Sequence, residues 1–396
     1  MRQPNLGGAG GFTRGMFDAT AGAPEDDHDV LLLDDDILLE PELLLRLTAF
    51  AACTTHPTIV GGQMLNLLHP AHLHISAERA DPELLKVGIP MPDALDEAYL
   101  LGSDERLLPI GQERRVDTEY NGWWSCLIPY EVVQSTGYPL PFFFQWDDAE
   151  YSYRARAHGF PTVTLPGAGV WHADFHMKDW DEWHRYFNLR NSIITAALHS
   201  PFNLNLLSRV LLAQLVRYLL GMQYGLSATL IKAVEDFLKG PEILRDGGVE
   251  AMQEIRRIRE NYPETKRHKA TDVPGIASND IGIINSAPRP SMQRLVLIKR
   301  VLDRVLGRSR FGLGAVPIDE ANWWHIAQFE TAVVTDANQE GVRVRSYDRV
   351  KMFALAKQGA KVVQRLRKEG AAVQEQYKRA MPELTSRENW KRLYKL

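Results

Sequence analysis

The chain has 396 residues, of which 45% are hydrophobic and 24% charged, and a formal net charge of −4. That length allows one large domain or two ordinary ones, and the composition is that of a soluble globular protein. Two cysteines, Cys53 and Cys126, exclude a disulfide framework and a cysteine-rich metal site and fit a reducing, cytoplasmic setting. No run reaches the ~18 apolar residues of a spanning helix, and the first residues lack the apolar core of a secretion signal.

In chain order, "NLGGAGGFTRG" at 5–15 reads as a glycine-rich loop entering a helix, a shape that can cradle phosphate through backbone N–H groups. It carries neither a dinucleotide fingerprint nor a Walker lysine. "DVLLLDD" at 29–35 is a short continuous apolar run, as in a strand buried on both faces. "EPELLLRLTAFAA" follows with helical spacing, Pro41 suiting its first turn. "PTIVGGQML" at 57–65 reads as a strand, and "GWWSCLIPYEVVQSTG" as a strand, a short helix and Gly137 as its stop. "DDAEYSYRARAHG" predicts a helix with Asp147 or Asp148 at its N-cap and Gly159 beyond its end. "PTVTLPGAGVWHA" at 161–173 is a strand with its outgoing loop. This alternation predicts an α/β sheet of mostly parallel strands.

After residue 200 the pattern turns helical. The stretch from Asn205 to Pro241 predicts a helical pair, packed or surface-lying, since Arg209, Arg217 and Lys232 interrupt it. Residues 265–290 are polar, with Pro and Gly, and read as a linker. "ETAVVTDANQEGVRVRSYD" allows a hairpin around Asn338 to Gly341, and the remainder is basic and helical. Residues 341–396 hold 15 Lys or Arg against 5 Asp or Glu, a local balance of +10. A solvated helical face would account for that excess, and so would attraction to an anionic surface.

Two acidic clusters carry the chemistry. Asp34, Asp35 and Asp36 follow an apolar strand, and open α/β sheets bind ligands at the carboxyl ends of their strands. Residues i and i+2 of an extended segment share a side, so Asp34 and Asp36 can converge on a hard divalent ion while Asp35 points away. A polar turn capping the next helix is the competing reading. His172, just after a predicted strand, can complete a carboxylate–imidazole site or be a structural histidine; His176 is a nearby competitor. Asp147, Asp148 and Glu150 stand beside Phe142, Phe143, Phe144 and Trp146. One Asp suffices for a cap, and a helix N-terminus favours anions, so both are expected to be ionised near neutral pH. An ionised carboxylate beside aromatic surface suits a transferase that accepts a proton from a sugar hydroxyl. Trp123 and Trp124 add two rings, which stack on sugar or form a core pair facing opposite sides of a strand.

"NLGGAGGFTRG", "LLLDDDILLEP", "NGWW", "WDDAEYSYRARAHGFPTVTLPGAGVWH" and "YFNLRN" occur in that order. Together, and with "GGQMLNL" and "VKMFALAKQ", they resemble family 2 glycosyltransferases of the GT-A fold from about residue 3 to the end of the chain. Among these they are most similar to the polymerising UDP-galactofuranose transferases of actinobacterial cell-wall galactan. The resemblance implies an N-terminally truncated GT-A core over 1–200, its first strands missing. A helical segment over 201–264, the linker at 265–290 and a basic, mainly helical region over 291–396 would follow. It implies Mn²⁺ or Mg²⁺ held by Asp34, Asp36 and His172. Asn5, Asp34, Asp35 and Asp36 would contact the sugar nucleotide, Asp148 would be the general base, and Asp147, Trp123 and Trp124 would seat the acceptor. Where that family has His before "LRN", this chain has Asn188. The implied partners are UDP-galactofuranose, a polyprenyl-linked galactan and the anionic inner face of the plasma membrane, for a peripheral homo-oligomer with no nucleic-acid partner. A related transferase using another donor such as rhamnose, and a truncated fragment that binds acceptor without catalysis, are the rival expectations.

Overall fold

The computed structural model describes residues 2–21, 28–92, 94–101, 116–175, 178–271, 273, 287–336 and 341–396. Helix α1 (Gly7–Ala19) precedes strands β1 (Val30–Leu33) and β2 (Ile37–Leu39), helix α2 (Glu42–Ala52) and strand β3 (Ile59–Asn66). Strands β4 (His72–Ile75), β5 (Glu78–Asp81), β6 (Lys86–Pro90), β7 (Asp96–Tyr99), β8 (Val116–Thr118) and β9 (Ser125–Ile128) follow. Next come helices α3 (Tyr130–Thr136) and α4 (Asp147–Ala157), strand β10 (Thr162–His172), and helices α5 (Arg185–His199), α6 (Leu204–Leu220), α7 (Tyr224–Phe237), α8 (Val249–Glu260) and α9 (Gln293–Val305). The chain ends with strand β11 (Phe311–Pro317), helix α10 (Trp323–Ile326), strands β12 (Phe329–Thr335) and β13 (Val342–Ser346), and helices α11 (Arg349–Leu384) and α12 (Arg387–Tyr394).

The main sheet runs β1-β9-β3-β10-β2, with β4 and β7 continuing from β3 and β8 pairing with β10. Its side chains alternate with the period of two that a pleated strand imposes. Val30, Leu32, Cys126 and Ile128 pack with Met16 and Phe17 of α1, Val132 of α3 and Tyr151 of α4. Leu31, Leu33 and Leu127 pack on the other side with Leu43 and Leu47 of α2. Trp123 and Trp124, in the turn before β9, also fall on the two sides. The strands are not mostly parallel: β3–β10 pair in parallel, while the other described pairs of this sheet are antiparallel. An apolar run such as Val30–Leu33 reports burial and not direction, and β9 enters between β1 and β3 antiparallel to both.

Helices α5, α6, α7 and α11 form a second core around Phe187, Leu211, Leu215, Leu230, Phe237, Leu366 and Tyr377. The helical pair is thus packed, α7 being buried along nearly its whole length. The glycines at 7–11 are the start of α1 itself and not a loop before it. The hairpin strands β12 and β13 pair antiparallel, and β11 joins them in parallel to β12; the turn at 337–340 and most of the expected linker lie outside the described residues. Helix α12 returns to the first core: Tyr394 donates to the Gly10 carbonyl at 2.7 Å and Trp390 Nε1 to the Pro139 carbonyl at 2.9 Å.

The loop before α4 sets the direction of that helix. Phe143, Gln145 and Trp146 take left-handed conformations, with φ of 70°, 65° and 69°. For residues with a β-carbon each costs about 1–2 kcal/mol. Trp146, not Asp147 or Asp148, therefore occupies the cap position, and no side chain caps the helix. The "LRN" of α5 holds this loop. Asn191 Nδ2 lies 3.2, 2.9 and 2.9 Å from the carbonyl oxygens of Phe142, Phe144 and Gln145, and Arg190 Nη2 donates to Phe142 at 2.8 Å. From α1, the Ala9 N–H donates to the Phe143 carbonyl at 3.3 Å. That approach requires Gly7, whose φ is +70° and whose added β-carbon would stand 1.9 Å from the Phe143 oxygen.

Gly7→Ala should therefore destabilise the protein through left-handed strain of about 1–2 kcal/mol and a forced shift of the loop of about 1–3 kcal/mol. Gly15, in the same helix with nothing within 4 Å of an added β-carbon, should gain up to about 1 kcal/mol on changing to Ala. Urea unfolding of the two variants checks the pair, and equal effects would contradict the close approach.

Candidate active site

Strand β1 ends at Leu33, Asp34–Asp36 form the turn, and β2 folds back along the end of β10 with Ile37 opposite His172. That register, rather than an extended i, i+2 segment, brings the three side chains together. His172 Nε2 lies 2.9 Å from Asp36 Oδ1 and 3.7 Å from Asp34 Oδ2. One ligand atom from each of the three lies within 4.8 Å of the others. His172 is buried, and its Nδ1 faces the Ala173 carbonyl at 2.6 Å. That bond places a proton on Nδ1 and turns Nε2 toward the carboxylates: a protonated Nε2 donates to them, and a cation in that proton's place would meet the ring's lone pair, with the second-shell contact of a metal-binding histidine. Burial alone would raise the Asp34 carboxyl, but hydrogen bonds from His172 and the Asp35 N–H hold it below its usual value. Burial alone would lower His172, and Asp34 with the Ala173 carbonyl raises it instead. Asp35 is exposed and outside the group, and His176 lies outside the described residues. Two hard oxygens and one imidazole suit a divalent cation such as Mg²⁺ or Mn²⁺.

The second cluster faces the same cleft of about 1380 Å³, which Asp34, His172, Asp147, Asp148, Trp123 and Trp124 all line. Asp148 Oδ1 accepts from the Ala149 N–H at 2.7 Å. The expected full ionisation of the pair does not hold. Burial, then the adjacent Asp148 charge, push Asp147 up to about 8. Burial, reinforced by Asp34 and partly offset by the Ala149 N–H, pushes Asp148 up to about 6. Both feel Asp34, so the two clusters belong to one electrostatic site. Glu150 does not share it. Burial would raise its carboxyl, but Arg154 and His199, each 3.0 Å away, hold it down to about 2.

Glu78 of β5 is a carboxyl in the cleft that no sequence motif announced. It is buried beside Tyr120, which meets it across an isolated β-bridge. Burial and the Asp148 charge push it up to about 8 against a hydrogen bond donated by the Tyr120 hydroxyl. Further along, Arg185 Nη1 donates to Asn188 Oδ1 at 3.1 Å, and Arg343 and Arg345 reach the cleft from β13. Asn5 is outside the lining; its Oδ1 accepts from the Gly7 N–H at 3.1 Å, while Gly8 and Phe12 of α1 reach the cleft.

Both tryptophans of "NGWW" are packed. Trp124 Nε1 donates to the Gly62 carbonyl at 2.9 Å, and Trp123 meets Phe12 and Tyr151 edge-on. Trp123 Nε1, Trp146 Nε1 and Gln145 Oε1 are buried without a hydrogen-bond partner among the described residues, and all three residues line the cleft. Buried polar atoms ordinarily find a partner. The wall combines carboxyl groups with aromatic residues, a lining that suits a polyhydroxylated ligand.

Residues 1–191 match the family described as glycosyltransferase like family 2, and residues 207–396 match galactofuranosyltransferase-2, domain 3. The chain is 36% identical over 410 residues to galactofuranosyltransferase GlfT2 of Mycobacterium tuberculosis (strain ATCC 25618 / H37Rv), covering 98% of this chain and 62% of that protein. It is 36% identical over 406 residues to GlfT2 of Mycolicibacterium smegmatis (strain ATCC 700084 / mc(2)155), covering 98% and 61%. It thus spans about three fifths of the length of the curated relatives it matches. These likenesses run through both halves: the chain is homologous to the GlfT2 galactofuranosyltransferases over about three fifths of their length, and its mixed α/β sheet lies in the part similar to a family 2 glycosyltransferase domain.

Proposed function

We propose that the chain is an inverting, metal-dependent galactofuranosyltransferase that moves galactofuranose from UDP-galactofuranose to a growing galactan on a polyprenyl lipid. The observation that carries this reading is the single cleft lined by the raised carboxyls Glu78, Asp147 and Asp148, by Trp123 and Trp124, and by Asp34 and His172 of the Asp34–Asp36–His172 group. The acceptor lies along Trp123, Trp124 and Asp147, and its hydroxyl oxygen attacks the anomeric carbon. Asp148 takes the hydroxyl proton as the bond to the diphosphate breaks on the opposite face, so the anomeric configuration inverts. Asp34, Asp36 and His172 would hold Mn²⁺ or Mg²⁺, which when bound would supply positive charge near the departing diphosphate. Asp147, the more strongly raised of the pair, holds its proton near neutral pH and donates a hydrogen bond to an acceptor oxygen. Among the described residues no helix is long and apolar enough to cross a membrane. A lipid-linked acceptor would accordingly be met by peripheral contact with the inner membrane face.

The metal assignment is tested without substrate. Asp36 is exposed in a turn, so Asp36→Ala should leave the circular dichroism spectrum intact while calorimetry with Mn²⁺ alone shows binding weakened by at least about tenfold. Unchanged Mn²⁺ affinity would remove Asp36 from the ligand set.

Asp148→Asn keeps size but cannot accept the proton. It should lower sugar transfer by about 10² to 10⁴ while UDP-sugar affinity stays within a few-fold. Asp147→Asn should act mainly on the KM for acceptor. If the Asp147 variant is dead and the Asp148 variant normal, the base is the other carboxylate.

The working form of Asp148 is the ionised one and its carboxyl is raised to about 6. The rate should therefore hold above about pH 6 and fall about tenfold per pH unit below it. A pH–rate profile flat to pH 4 would contradict the assignment.

A further inference from the structure

Lys178 and Arg185 line the same cleft as Asp34 and His172, and neither makes an ion pair among the described residues. The acids beside them are all matched. Asp179 lies 2.8 Å from Arg343 and 3.3 Å from Arg267, Asp181 lies 2.7 Å from Arg259, and Glu182 also meets Arg343. With every carboxylate of residues 179–182 neutralised by an arginine, Lys178 and Arg185 keep their charge for something else.

Both side chains are nonetheless held. The Lys178 ammonium lies 4.6 Å from the centre of the Phe175 ring, and that ring packs 5.3 Å from the His172 ring. Arg185 donates from Nε to the Tyr218 hydroxyl at 3.3 Å and from Nη1 to Asn188 Oδ1 at 3.1 Å, which leaves Nη2 without a partner among the described residues. An aromatic face and two neutral acceptors position these cations without cancelling them. Their charge is felt nearby. Burial, then Arg185, push His184 down to about 4, with Lys178 adding to the effect, so its ring stays neutral. Lys178 also acts on Asp34 and on His172. Helix α5 begins at Arg185 with no side chain capping it, so its positive end adds to the same side of the cleft.

An uncancelled ammonium beside Asp34 and His172 disfavours a second cation there and favours an anion. A group with several charged oxygens, a diphosphate, can meet the metal-binding side chains through a cation and meet Lys178 directly.

We propose that Lys178, with Arg185, is a second cationic hold on the donor's diphosphate, separate from the Asp34–Asp36–His172 group. The proposal rests on the transferase reading above for the identity of the donor. As the bond to the anomeric carbon breaks, negative charge grows on the diphosphate oxygen, and the Lys178 ammonium is placed to meet it.

Calorimetry on the whole chain measures Mn²⁺ alone, and then UDP and inorganic pyrophosphate in saturating Mn²⁺. Lys178→Gln should weaken UDP and pyrophosphate by at least about tenfold. Because the lost charge opposes a cation, Mn²⁺ alone should bind this variant as tightly as the parent or more tightly. Lys178→Arg keeps the charge and should stay within about threefold of the parent for all three ligands. Arg185→Gln should weaken the two diphosphates and spare Mn²⁺. A damaged fold would weaken Mn²⁺ and the diphosphates together, so weaker Mn²⁺ binding by Lys178→Gln overturns the proposal. Unchanged UDP affinity in that variant also overturns it, and if pyrophosphate alone is weakened the site takes a diphosphate other than the donor's. A parent chain that binds neither diphosphate overturns it as well. Sugar transfer is measured in parallel. Its absence from the parent, with the calorimetric pattern as expected, would count against the transferase reading and leave the diphosphate site standing.

Discussion

The active-site half of the molecule depends on one buried amide. Asn191 has two N–H donors and three carbonyls of the 142–145 loop within reach, so at least one donor is shared. Arg190 beside it binds the Phe142 carbonyl. Three left-handed residues with side chains among four consecutive positions would not persist in a free loop; they persist here because the surroundings over-determine them. Phe143 is also enclosed by Gly7 and Gly248, where added β-carbons would strike it. With the loop held so, α4 starts at Asp147 and its first turn points into the cleft that the Asp34 turn and His172 also border.

The electrostatics follow from that placement. The N-terminus of α4 favours negative charge, yet burial outweighs it and raises both Asp147 and Asp148. A third raised carboxyl, Glu78, feels Asp148 as well. Three such groups in one cleft are a poor arrangement for an empty protein. They suit a ligand rich in hydroxyls, which can donate to an ionised carboxylate and accept from a protonated one. Glu150, one residue beyond Ala149, meets the opposite fate because Arg154 and His199 neutralise it on the far side of the helix.

Much of this was legible in the sequence, though sometimes for an incomplete reason. Asp34, Asp36 and His172 do converge, but through the turn between β1 and β2 and the pairing of Ile37 with His172, which no periodicity could supply. The helix at Asp147 was legible from its composition. Its capping residue was not, since an aromatic side chain in a left-handed conformation is a tertiary outcome. Strand direction was misread because burial patterns are silent about it. Glu78 and Tyr120 carry no local signal; a bridge between distant segments makes them neighbours. For α9, the sequence reading stops at a basic, mainly helical region, and only the structure shows Arg304 taking the buried side and the leucines the exposed one.

Helix α12 has a consequence for how the chain is made. Trp390, Leu393 and Tyr394 complete the same cluster as Met16 and Phe17 of α1 and Tyr151 of α4. Arg387 reaches the Phe17 carbonyl at 2.9 Å. Translation delivers α1 well before α12, so the layer on that side of the sheet stays open until α12 has been made. Removing α12 would leave the apolar surface of α1 uncovered, far from the deletion in sequence and next to it in space.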